Sequence, residues 1–110
     1  MIRWHENLYM DSEVSSNPQK YMNEVENDKI HIFPVYCVTV ASNPNNLFDI
    51  IASNELMFKH YRRNCIDIIG IAHSYKDAVT IVRAIVMQAY RETAGKNMNE
   101  WIRNMFVAKN

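Results

Sequence analysis

The apolar positions of this chain change period along its length, and each change marks an element. Ile30 to Ala41 reads IHIFPVYCVTVA, a β-branched and aromatic run with almost no charge, which predicts a strand. Pro34 cannot donate to a ladder, so the regular part is placed at Val35–Ala41. That piece is apolar on both faces, as strands of a helix-covered parallel sheet are. Cys65 to Ala72, CIDIIGIA, repeats the pattern and predicts a second strand. Between them, Asn43 and Pro44 suit a cap and a first turn. Leu47, Phe48, Ile50, Ile51, Asn54 and Phe58 then recur at helical spacing and predict a helical segment, with Ser53-Asn54 competing for its backbone hydrogen bonds.

After the second strand the period becomes clearly helical. Ala78, Ile81, Val82, Ile85 and Ala89 fall on one face. Ser74-Tyr75-Lys76-Asp77 opens this helix like a capping box, and Gly95 closes it as a left-handed cap. Ser16-Asn17-Pro18-Gln19 starts an earlier, mostly polar helix, with Ser16 as its cap and Tyr21, Met22 and Val25 as its apolar side. Asn97 and Glu100 start a last helix bearing Trp101, Ile102, Met105 and Phe106. Residues 1–15 fit neither period and are read as an N-terminal arm packing Trp4 and Tyr9 onto the domain.

The expectation is a small single α/β domain over residues 1–110. Its core is strand–helix–strand–helix, with strands at about 35–41 and 65–72 and flanking N- and C-terminal helices. The strand starts Val35 and Ile66 lie 31 residues apart, the usual size of a right-handed βαβ unit. Two strands are few for a stable sheet. Either the N-terminal arm supplies a third, or a second copy completes the sheet, so a homodimer is expected.

Composition narrows the classes. With 110 residues, 48% of them hydrophobic, there is material for one real core. Twelve Lys+Arg against 12 Asp+Glu give no general attraction to nucleic acid or anionic membrane. Two cysteines make no disulfide framework, Met1–Met10 has no apolar run of a leader, and no stretch is long enough to span a bilayer. A cytoplasmic setting is expected.

The chemistry is thin. In a parallel unit the loops at the carboxyl ends of the strands lie together and take ligands. Here those loops are 42–46 and 73–75, and each opens a helix. A phosphate or carboxylate between them would meet Ser42, Asn43, Asn46, His73 and Ser74. Capping alone also explains every residue in both loops, and neither has the glycines of a phosphate cradle. Lys59, Arg62 and Arg63 flank Tyr61 and could touch nucleic acid by charge and stacking, or simply close a helix end.

His5, His31, His60 and His73 form no HExxH or HxxxH pair, and no Cys/His spacing matches zinc, so no metal site is expected. Cys65 near His60 allows a Cys–His couple, although a cysteine at the start of a buried strand behaves as a hydrophobe. Asp67, between Ile66 and Ile68, is expected to meet solvent or pair with Arg62 or Arg63. No catalytic residue and no cofactor is assigned. The leading reading is a non-enzymatic module that self-associates or binds a protein partner. The alternatives are the anion site and weak nucleic-acid contact.

VYCVTVASNPNNLFDII followed by IIGIAHSYKDAVTIV resembles a family of small bacterial α/β proteins with no assigned activity. The resemblance covers about Tyr36 to Tyr90. It implies a bacterial, cytosolic, single-domain setting and contributes no site residues.

Overall fold

The computed structural model describes residues 2–27, 32–41, 46–57 and 66–106. In chain order these form β1 (Ile2–Met10), α1 (Ser12–Ser16), α2 (Pro18–Glu26), β2 (Tyr36–Val40), β3 (Phe48–Ala52), a 3-10 turn (Ser53–Met57), β4 (Ile66–Ala72), α3 (Tyr75–Thr93) and α4 (Met98–Phe106). The strands make one mixed sheet in the order β1-β4-β2-β3. The small α/β class expected from the sequence is what forms, but its wiring differs in three ways.

First, the N-terminal arm is a strand. β1 pairs in parallel with β4, from Ile2 opposite Ile66 to Met10 opposite Ile71. Its missing period has a structural cause: the register breaks between Trp4 and Tyr9, so alternation is lost midway. Trp4 does pack on the domain, and its indole Nε1 donates to Glu26 at 2.6 Å. The strand shortage that suggested a second copy is thus met within the chain.

Second, β2 and β4 run antiparallel, so residues 35–72 are not a parallel crossover. Third, the apolar stripe after Asn46 begins as β3, hairpin-paired with β2 from Val40 opposite Phe48 to Tyr36 opposite Ala52. Phe48 and Ile50 join one core layer and Ile51 the other, which is a period of two. Two successive β-branched isoleucines favour that outcome over a helix. Among the described residues of this stretch only Ser53–Met57 is helical, as a 3-10 turn, with Ser53 N–H donating to the Val35 carbonyl at 2.8 Å.

The sheet lies between two helical layers. On one face Val14 of α1 and Val25 of α2 cover Cys37, Ile51, Ile66, Ile68 and Ile71. On the other, α3 and α4 bring Ile81, Ile85, Ile102 and Phe106 onto Val38 and Ile69. Ile69 is unmatched between the pairs Val38–Gly70 and Thr39–Ile68, and this bulge puts Ile68 and Ile71 on one face and Ile69 and Ala72 on the other. Gly70 sits at the bulge. A Cβ there would lie 3.1 Å from Ile81 Cγ2 and 3.3 Å from the Tyr9 carbonyl oxygen, so the glycine lets α3 and β1 approach together.

The helix ends follow local chemistry. Ser74 caps α3 by accepting the Asp77 N–H, as expected. At its far end the left-handed turn starts at Ala94 (φ 54°) and continues through Gly95 (φ 82°). Ser16 does not cap α2. It ends α1, its hydroxyl donating to the Glu13 carbonyl at 2.6 Å, while Asn17 stands at the α2 cap position before Pro18. Among the described residues no helix is long and apolar enough to cross a membrane.

Candidate functional site at the carboxyl ends of β1 and β4

Because β1 and β4 are adjacent and parallel, the residues that leave them emerge side by side. Those residues are Asp11 and His73. Asp11 caps α1: its Oδ1 accepts the Val14 N–H at 2.8 Å. Its Oδ2 accepts the His73 main-chain N–H at 2.9 Å and meets the His73 ring at Nδ1. From the first turn of α3, Asp77 Oδ2 comes within 3.3 Å of the same Nδ1. Ser74 fixes Asp77: its hydroxyl donates to Asp77 Oδ2 at 3.0 Å and accepts the Asp77 N–H at 3.2 Å. One side-chain ligand atom from each of Asp11, His73 and Asp77 lies within 4.8 Å of the others.

The cluster is graded in exposure. The side chain of Asp11 is 10% exposed, against 45% for His73 and 38% for Asp77. Partial burial pushes the Asp11 carboxyl up, but the N–H groups of Val14 and His73 together with the His73 ring outweigh it and hold the carboxyl below its ordinary value. The hydrogen bond to Asp11 raises His73; desolvation opposes it, and the charges of Asp11, Asp77 and Glu13 add to it. Asp77 also sits at the helix N-terminus, where a negative charge is favoured.

The cluster opens onto a groove of about 560 Å³ that His73 helps to line. Glu13 and Glu24 stand on its α1–α2 side with Tyr21, whose hydroxyl donates to Glu13 at 3.3 Å. The Tyr21 phenol is pushed up, first by desolvation and then by the charges of Glu13, Glu24 and Asp11. Ile32 and Phe33 supply an apolar, exposed wall. Lys20 is the one lysine of the lining among the described residues, its Nζ 5.1 Å from the Tyr21 ring centroid. Among the described residues, carboxylates outnumber cations at this end of the sheet.

Of the residues expected to hold an anion, His73 and Ser74 do stand at a strand's carboxyl end, but with different partners. The loop they share space with is the turn after β1 at Asp11, because the neighbouring parallel strand is β1. Asn46, exposed, lies at the other end of the sheet, beside the start of β3. Ser42 and Asn43 lie outside the described residues, as do Lys59, Arg62 and Arg63. The N–H groups of His73 and Asp77 are taken by Asp11 and Ser74, and the carboxylates of Asp11 and Asp77 stand beside them.

Asp11 escaped the sequence reading because the arm before it showed no strand period. Its usable signal was local: Asp11 stands three residues before Val14, as an N-cap does. In the sequence Asp77 shows only as part of a cap.

Asp67 pairs with Arg3 of β1, Nε to Oδ1 at 2.8 Å; Arg62 and Arg63, the partners expected for it, lie outside the described residues. Cys37 is wholly buried, and burial pushes its thiol up to about 12, which leaves it a core residue. His60 and Cys65 lie outside the described residues.

No family model, no curated protein and no solved structure matches this chain.

Proposed function

We propose that this chain is a small binding module that takes a cation at the carboxyl ends of β1 and β4. The observation that carries this reading is the convergence of Asp11 and Asp77 on the His73 ring at the mouth of a groove that also holds Glu13 and Glu24. Four carboxylates in one neighbourhood make a local negative potential in a chain whose net charge is zero. Aromatic Tyr21 and Phe33 add faces that favour cations.

Calorimetric titration of the purified chain with inorganic and organic cations, set against phosphate, tests the reading. Cation binding that weakens in Asp77→Asn supports it. Phosphate binding without cation binding overturns it.

A second reading rests on a different observation. Ile32 and Phe33, 89% and 87% exposed, form an apolar step beside the groove. Such a step favours contact with a protein partner or a second copy of the chain. Sedimentation velocity of wild type and Phe33→Ser tests self-association: a dimer that the substitution dissociates supports it, and a wild-type monomer at tens of micromolar excludes the second copy.

A further inference from the structure

We propose that Asp11, His73 and Asp77 are three protein ligands of a divalent first-row transition metal ion, held with its remaining positions open to the groove. This deepens the cation reading and rests on it.

The donor set is the first argument. One imidazole with two carboxylates suits zinc and its first-row neighbours, whereas magnesium and calcium prefer all-oxygen shells. Spacing is the second. Ligands about 2.0–2.2 Å from a common ion, at tetrahedral or octahedral angles, stand roughly 3–3.5 Å apart. His73 Nδ1 and Asp77 Oδ2 are 3.3 Å apart, and all three donor atoms lie within 4.8 Å of one another. Asp11 Oδ2 touches the same Nδ1, so the half-exposed ring of His73 has to swing outward to admit an ion.

Charge supplies the third argument. Two carboxylates and one neutral imidazole balance a divalent ion.

The supporting contacts are those of a built site. Asp11 is aimed by the N–H groups of Val14 and His73, and Asp77 by the Ser74 hydroxyl. Such outer contacts orient ligands and commonly change metal affinity 10–100-fold when removed. The same hydrogen bonds leave Asp11 Oδ2 and Asp77 Oδ2 each with a lone pair for an ion. The exposed sides of His73 and Asp77 leave room for water or a groove-bound group to complete the shell.

The test uses the whole chain, free of any tag and stripped with EDTA. It is titrated with Co²⁺ by visible absorption, then with Zn²⁺ as competitor, with Mg²⁺, Ca²⁺ and spermidine as comparisons. The expected result is one Co²⁺ per chain, displaced by Zn²⁺, with binding weakened at least about tenfold in both His73→Gln and Asp77→Asn and also in Ser74→Ala. Far-UV circular dichroism establishes that each variant is folded. Co²⁺ binding that persists unchanged in folded His73→Gln overturns the metal site. So does spermidine or Mg²⁺ binding as tightly as Zn²⁺, although the cation reading then stands. Failure of every cation to bind the folded wild type overturns both.

Discussion

The carboxylate of Asp11 receives both the main-chain N–H and the ring of His73, two residues that lie 62 positions apart and meet because β1 and β4 are parallel neighbours. One contact thus ties the N-terminal strand, the start of α1 and the entrance of α3 together. It is also the floor of the proposed cation site, so its stability and its binding chemistry can be measured separately.

Asp11→Ala removes the cap of α1 and both bonds to His73. Loss of a cap alone costs about 0.5–2 kcal/mol, so the urea midpoint should fall by the equivalent of at least about 1 kcal/mol. Asp11→Asn keeps an oxygen for the Val14 N–H and should lose less.

The Asp11–His73 pair makes stability depend on pH in the metal-free chain. His73 is raised from 6.5 by folding, so its contribution is full below that value and is lost as pH rises through the folded value. Asp11 is lowered from 3.8, so its contribution is full above that value and is lost as pH falls through the folded one. Between these ordinary values the pair contributes most. In EDTA, the wild-type Tm should decline between pH 5.5 and 8.5 by more than that of His73→Gln, and parallel curves would contradict the pairing.

Gly70→Ala places a methyl against Ile81 Cγ2 and the Tyr9 carbonyl at 3.1 and 3.3 Å. Overpacking of this kind costs about 1–3 kcal/mol. A Tm lower by several degrees is expected, and Gly70→Ala with Ile81→Val should recover part of it.

Cys37 should resist alkylation in the folded chain. Its thiol is buried and pushed up to about 12, so little thiolate forms at pH 8. Peptide mapping after iodoacetamide should find Cys37 unmodified in buffer and modified in denaturant.

The two strands of the middle region, the long helix α3 and its Ser74 cap were all legible in the sequence, because each rests on local pattern and local hydrogen bonds. Strand direction was not. Val35–Ala41 is apolar on both faces because helices cover both faces of the sheet, and that holds equally for antiparallel neighbours. β3 was misread because Leu47, Phe48, Ile50 and Ile51 satisfy helical spacing as well as alternation, and only pairing with β2 decides between them. β1 stayed hidden because its register breaks between Trp4 and Tyr9. The site inherits that pattern: His73 and Ser74 were visible from the strand-to-helix junction, whereas Asp11 needed the unseen strand to deliver it.

Amide chemical-shift mapping by ¹⁵N–¹H NMR during a Zn²⁺ titration of the EDTA-stripped chain locates the bound ion. Asp11, His73, Ser74 and Asp77 are expected to shift together and saturate at one equivalent, while Ala41 and Asn46 at the opposite end of the sheet stay in place. Shifts centred on Ala41 and Asn46, or none at Asp11 and His73, would contradict the proposed metal site.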